Sequence, residues 1–358
     1  MNSESRLAQL RARIAAEGVA GLAVTEPVNV AYITGFERVF DDERAHVALV
    51  TAESAALITD NRYVEAATAA AVGTGWRVVE AKVNVIETAA ELLDGAAAVE
   101  DSMSLKGFEG ARKALGVDTH MASGWVEALR AVKDEAEIGR IAAAQQLTDD
   151  TFTYILGRIR PGVTEAELAL DLEFYMRTNG SDGLAFVPII AGGPNSALPH
   201  AKITQRAFQT GDFVKLDFGA KVDGYCADMT RTVVLGRATD RQREYYEAVL
   251  AANQAGNAAV VAGASGCEVD AAARREVEQR GFGDLFRHGL GHGVGLEVHE
   301  SPSASPRSND TLVAGNVITI EPGVYEPGFG GVRIEDLVVV QEGGSRILTR
   351  SPKDLIEL

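Results

Sequence analysis

The stretches "GDFVKLDFGA" (211–220) and "GNVITIEPGV" (315–324) decide how this chain folds, because they are two versions of one pattern. Each has a glycine and a polar residue, a strand-like run, an acid six residues after the glycine, and a second glycine two positions further on. Asp217 and Glu321 therefore hold equivalent places 104 residues apart. Each copy continues into a second strand-like run, "GYCADMTRTVVLG" (224–236) with Asp228 and "GGVRIEDLVVV" (330–340) with Glu335. Read as hairpins, the copies place one acid on each of four strands. Two such hairpins facing each other bring four carboxylates to one centre.

Acids inside strands are unexpected: Asp is disfavoured there, and a buried charge is costly without a partner. Bound cations are the simplest counter-charge. The stretch "RHGLGHGVGLEVHE" (287–300) points the same way, since it holds His288, His292 and His299, half of the chain's six histidines. The four-residue spacing of His288 and His292 resembles the helical pattern of zinc peptidases. The interleaved glycines argue against a helix, each costing ~1 kcal/mol relative to alanine. On an extended strand the two imidazoles share a face but lie ~13 Å apart. One is then a metal ligand and the other a substrate contact, with the glycines leaving room beside the backbone. His299 follows a short β-like run, "GLEV", and is a candidate proton carrier. Four carboxylates carry four negative charges, which two divalent cations balance. Oxygen-rich ligation favours manganese or another hard divalent ion. Two ions ~3.5–4 Å apart can share a hydroxide and polarise a carbonyl, which makes this a hydrolase centre.

The rest of the chain sets the frame. Its 358 residues predict two domains. Residues 1–130 alternate short β-rich runs ("VAGLAV", "HVALV", "AALITD") with helical ones, as a small α/β domain does. A long helix after 131 opens the second domain, 131–358, and Thr164 with Glu167 predicts a capping box for the next. A net charge of −17 speaks against nucleic-acid and anionic-membrane partners. No apolar run reaches the ~18 residues of a membrane span. The start lacks the apolar core of a signal peptide, and Cys226 and Cys267 make no disulfide framework, so a cytoplasmic location is expected.

Taken in order, "NVAYITGF", "TDNRYVEAA", "GPNSALPH", "LDFGA", "DGYCADMTRTV", "HGLGHGVGLEVHE", "IEPGVY" and "GGVRIED" resemble the pita-bread metallopeptidases, the prolidase and aminopeptidase P branch above all. The resemblance spans almost the whole chain. It implies an α/β fold class, with a small creatinase-like N-terminal domain followed by a pita-bread domain with an internal pseudo-twofold repeat. It implies five metal ligands: Asp228 and Glu335 bridging two ions, Asp217 completing one, His292 and Glu321 completing the other. The ions are expected to be Mn2+, with Co2+ or Zn2+ as alternatives. His200, His288 and His299 fall on the family's substrate-side histidines, Arg333 on its arginine beside the metals, and Glu321 on its proton acceptor. The implied activity is hydrolysis of the Xaa-Pro bond at the N-terminus of short proline-containing peptides. A homodimer is expected, the N-terminal domain and a second subunit restricting access to the site.

One departure stands out. Where many prolidases carry an arginine shortly after the "HE" pair to hold the substrate's carboxylate, this chain has Ser303, and the nearest arginine is Arg307. This favours an aminopeptidase P-like preference over strict dipeptidase action. The alternatives are a methionine aminopeptidase-like enzyme, which usually lacks such an N-terminal domain, and a non-catalytic pita-bread binding module, which typically loses ligands. Tyr225 reads as core, while Tyr325 fits either core or pocket wall.

Overall fold

A computed structural model describes residues 3–36, 39–41 and 43–358. The chain divides into two compact units, Met1–Arg130 and Ala131–Leu358. In the first, a six-stranded mixed sheet runs in the order Arg77–Glu80, Ala55–Thr59, His46–Thr51, Gly21–Val24, Ala97–Glu100, His120–Ala122. The helix Ser3–Glu17 buries Leu7, Leu10 and Ile14 on one face, as their spacing dictates.

The second unit is built twice over from a helix pair and a kinked hairpin. The helices Glu135–Leu156 and Glu165–Thr178 pack Phe152, Leu168 and Leu172 against Val214, Leu216 and Phe218. The helices Asp240–Ala259 and Gly266–Gln279 pack Val249, Ala252, Val269 and Ala273 against Ile318, Ile320 and Val338. All four helices start at a capping box: Asp134 with Glu137, Thr164 with Glu167, Thr239 with Gln242, Ser265 with Glu268. Each box satisfies two orphan backbone donors and fixes where the helix begins.

Strand Phe213–Phe218 pairs antiparallel with Met229–Val234, and Val317–Ile320 pairs antiparallel with Asp336–Gln341. Between each long pair lies a smaller hairpin: Ala220–Val222 with Tyr225–Cys226 in the first copy, Gly323–Glu326 with Gly330–Arg333 in the second. The acids sit where long strand gives way to short. Only Asp217 lies inside a strand; Asp228, Glu321 and Glu335 occupy the breaks, which corrects the expectation of four acids in strand interiors. At a break the backbone leaves the ladder, so side chains from both hairpins can converge instead of alternating. Close backbone crossings make this possible: a Cβ on Gly219 would lie 1.8 Å from the Ala227 carbonyl oxygen, and one on Gly291 would lie 1.9 Å from that of Thr319.

The histidine-rich stretch also departs from its simplest reading. Only Gly291–Gly293 is a strand, and His288 precedes it in irregular chain. Residues 295–299, including "GLEV", form a run of bends rather than a strand. That turn closes on itself through Gly295 N–H to the Glu297 carbonyl (3.0 Å), and the Gly295 carbonyl accepts from Cys226 N–H (2.7 Å). Among the described residues no helix is long and apolar enough to cross a membrane.

Candidate metal centre

Asp228, His292 and Glu335 each offer a ligand atom, and these atoms lie within 4.8 Å of one another. Asp228 Oδ1 and Glu335 Oε1 are buried and have no hydrogen-bond partner. An unpartnered buried carboxylate oxygen is costly, and two acids that each keep one, grouped with an imidazole, call for a cation. The other Glu335 oxygen accepts from the Thr230 hydroxyl at 2.7 Å. The His292 Nδ1 donates to the Gly293 carbonyl at 3.1 Å, which turns Nε2 toward the acids. From there Nε2 lies 3.2 Å from Glu321 Oε1 and 3.7 Å from Asp228 Oδ2.

Asp217 and Glu321 are set differently. The Asp217 carboxylate is ion-paired with Arg333. The same guanidinium donates to the Thr230 hydroxyl (2.9 Å), the Tyr325 hydroxyl (2.9 Å) and the Pro199 carbonyl (3.2 Å). Glu321 accepts from the Thr319 hydroxyl at 3.1 Å in addition to facing His292.

Titration follows from these settings. Burial, and then the neighbouring carboxylates, pushes Asp228 and Glu335 well above the usual carboxylate range. Burial also raises Asp217, against the pull of Arg333. Glu321 goes the other way: burial opposes its charge, but the hydrogen bond and charge of His292, with Arg333 and His288, bring it down to about 2. Burial likewise opposes charge on His292, and Glu321 outweighs it, holding the imidazole up at about 9. Glu321 thus faces His292 within hydrogen-bonding distance, while Asp228 and Glu335 each keep one buried oxygen without a partner. The donor set, mostly carboxylate oxygen with one imidazole, suits hard divalent ions, so the residues present fit a divalent metal site.

All nine residues named from the sequence meet in one cavity of about 300 Å3. Asp217, Asp228, His292, Glu321, Glu335 and Arg333 line it together with His200, His288 and His299. Phe186, Ile189, Pro199 and Val298 give it an apolar side. His288 donates through Nδ1 to the Gly289 carbonyl (2.7 Å), and its Nε2 lies 3.0 Å from the Tyr325 hydroxyl. Burial pushes the His288 pKa below its ordinary value; with Nδ1 donating to Gly289, Nε2 accepts from the Tyr325 hydroxyl, which itself accepts from Arg333. The His299 ring lies 4.3 Å from that of His292, centroid to centroid, and is tilted 59° to it. Burial, then the His292 charge, lowers its pKa. Tyr225 instead donates to Glu137 at 2.8 Å, away from the centre.

Sequence reasoning did not single out Thr230, Thr319 or Lys215, and left Tyr325 open. Thr230 and Thr319 each stand two residues from an acid on a buried strand, a signal visible in retrospect. Nothing local marks Tyr325, whose role depends on a cross-chain contact 37 residues away. Ser303 does not line the cavity: its N–H and hydroxyl both donate to Asp310 (2.8 and 3.0 Å). Arg307 is exposed and does not line the cavity.

Comparison with known proteins places this geometry in a family. Residues 139–342 match the model of metallopeptidase family M24, and residues 6–132 match the creatinase/prolidase N-terminal domain. The uncharacterized peptidase YqhT of Bacillus subtilis (strain 168) is 39% identical over 359 residues, covering 99% of this chain and 100% of that protein. An Xaa-Pro dipeptidase from Bacillus anthracis superposes with a TM-score of 0.94 at 38% identity, covering 100% of both chains. An X-Pro aminopeptidase from Thermotoga maritima MSB8 does so at 0.85 and 34%, covering 95% of this chain and 98% of that one. The chain belongs to metallopeptidase family M24. Its mixed α/β architecture is that of a creatinase-type N-terminal domain followed by a pita-bread domain.

Proposed function

We propose that this protein is a dinuclear exopeptidase that hydrolyses the Xaa-Pro bond at the N-terminus of short peptides. The observation that carries this is the pair of unpartnered oxygens on Asp228 and Glu335, grouped with His292 in a cavity that Phe186, Ile189, Pro199 and Val298 also line. The names of the relatives support the substrate class. Asp217, Asp228, His292, Glu321 and Glu335 would together hold the two ions, with Asp228 and Glu335 at the centre of the set; Mn2+ fits these hard donors best. Such ions supply an activated water and polarise a carbonyl when bound.

The chain's own residues would do the rest. The side chain of Glu321 is 16% exposed, against 9% for Asp217 and 7% for Asp228, so it is the acid most open to the cavity. It accepts the water proton on a carboxylate oxygen and returns it to the leaving nitrogen. That nitrogen is the proline's, which carries no N–H in the peptide and leaves as an amine only once protonated. His288, oriented by Tyr325, and His299 position the substrate and stabilise charge that develops on it. Ile189, Pro199 and His200 receive the proline ring. A cytoplasmic location and a homodimer remain part of this reading.

Peptide length follows from the cations. A dipeptidase has to hold the proline carboxylate, and a charge-assisted hydrogen bond does this well. Among the described residues the one lysine or arginine lining the cavity is Arg333, already engaged by Asp217, Thr230, Tyr325 and Pro199. Xaa-Pro-Yaa tripeptides are therefore expected to be cleaved at least as efficiently as Xaa-Pro dipeptides. The test is kcat/KM for Ala-Pro against Ala-Pro-Ala with added manganese. A dipeptide preference above roughly tenfold, about 1.4 kcal/mol in the transition state, overturns the length preference. Failure to cleave either peptide overturns the whole reading.

A further inference from the structure

Lys215 is fully buried on the strand Phe213–Phe218, two residues before Asp217 and on the same face. Its Nζ donates to three backbone carbonyls: Leu198 at 2.6 Å, Ser196 at 3.2 Å and Pro199 at 3.3 Å. It also lies 5.0 Å from the centroid of the Tyr325 ring. Ser196 lies in the 3-10 turn Gly193–Ala197, and Leu198 and Pro199 in the segment that runs on from it to His200. That segment forms no strand.

The ends of this loop are held by a second buried ionisable side chain. Glu165 is fully buried and accepts from Gly192 N–H (2.8 Å), Asn195 Nδ2 (3.0 Å), Thr204 N–H (2.9 Å) and the Thr204 hydroxyl (2.6 Å). Glu165 thus fixes both ends of the loop, and Lys215 fixes its middle. His200 is exposed, and among the described residues its side chain makes no hydrogen bond. Its placement therefore depends on the backbone beneath it. Burying a lysine is costly, so a lysine whose donors all meet one loop is spent on the shape of that loop.

We propose that Lys215 is a positioning residue: it sets the proline-side wall of the cavity by fixing the backbone that carries Pro199 and His200. This rests on the Xaa-Pro reading above for its consequence in catalysis, though not for its structural content. Because Lys215 reaches neither the reacting atoms nor a metal ligand's free oxygen, its loss should weaken substrate binding and leave the chemistry in place.

The test uses the full-length, manganese-loaded enzyme with Lys215→Met, which keeps the length and removes the donors, and Lys215→Gln, which keeps part of them. KM for Ala-Pro-Ala is expected to rise at least ~10-fold in Lys215→Met, with kcat within about threefold and an intermediate KM in Lys215→Gln. Metal content by elemental analysis should match the wild type. In the Lys215→Met background, His200→Ala should change KM by less than about twofold, because the wall it belongs to is already displaced. Fully multiplicative effects, or a fall in kcat and metal content at constant KM, overturn the proposal and assign Lys215 to Asp217 instead. A substrate-free arm separates this from the activity itself. Backbone hydrogen exchange of 194–202 should be at least ~10-fold faster in Lys215→Met, with 213–218 unchanged. Equal exchange overturns the proposal even if the peptides are cleaved. Accelerated exchange in an enzyme that cleaves no Xaa-Pro peptide upholds the positioning role and sinks the substrate assignment.

Discussion

The hairpin built on Phe213–Phe218 and the one built on Val317–Ile320 carry matching acids but neutralise them differently. In the first, Asp217 sits within the strand opposite Thr230, and its counter-charge is Arg333, which comes from the second hairpin. In the second, Glu321 sits just past its strand and pairs with His292 from the segment between the copies. The remaining acid of each hairpin, Asp228 or Glu335, keeps one oxygen without a partner. One acid per hairpin is therefore satisfied by the protein, and one is left for something else. The exchange of Arg333 across the copies also means that neither half can assemble the centre alone. Asymmetric pairing on a symmetric scaffold concentrates the demand for cations on the inner pair.

The sharpest way to break this contrast is to remove an inner acid. Glu335→Ala should lower kcat/KM by on the order of 10³-fold, about 4 kcal/mol in transition-state stabilisation, and reduce the metal stoichiometry measured by elemental analysis. His200→Ala, which touches no ligand, should keep its metal. Equal metal content in the two variants would remove the distinction between holding ions and holding substrate.

A smaller effect is expected on stability. Cations that bind the folded state alone add RT ln(1 + [L]/Kd), ~2.7 kcal/mol at a hundredfold excess over Kd. For a unit of this size that is roughly 5–10 °C in Tm. Calorimetry with and without manganese measures it, and an unchanged Tm with binding confirmed by titration would contradict the role of the inner pair.

The smallest effect concerns pH in the chelated protein. Asp228 and Glu335 have folded pKa values raised above their unfolded values of 3.8 and 4.5, so the native state binds more protons as pH rises past those values. Stability must then fall with rising pH across that window. His292, raised to about 9 from 6.5, acts in the same direction above pH 6.5. Glu321, lowered to about 2 from 4.5, acts oppositely but only below pH 4.5. Asp217, raised from 3.8, acts with the inner pair, while His288 and His299, lowered from 6.5, act oppositely below pH 6.5. With the three raised acids and His292 outweighing those two, the chelated protein should melt higher at pH 5 than at pH 7.5. Manganese should abolish that difference, since it replaces the protons. A chelated protein more stable at pH 7.5 would mean that the inner acids are already compensated.

Much of this protein is determined by its sequence alone. Glycine-to-acid spacing exposes the repeat, because a turn, a strand and a ligand each demand a particular residue type at a particular place. The capping box at Thr164 and Glu167 marks a helix start for the same local reason, and the other three boxes obey the same rule. Seven of the nine site residues, the four acids and the histidines of 287–300, stood out because such groups among apolar runs are costly unless used, whereas His200 and Arg333 entered only through the family resemblance. Tertiary structure alone decided how those residues are partnered. Strand periodicity tells which face a residue takes but not where the ladder breaks, and the breaks at Asp228, Glu321 and Glu335 depend on packing between hairpins, as at Gly219 against Ala227. The bends at 295–299, the link from Arg333 through Tyr325 to His288, and the hold of Lys215 on the loop before His200 all join segments distant in sequence. Contacts of that kind leave no local pattern, because their energy comes from a geometry that exists only after the chain has folded.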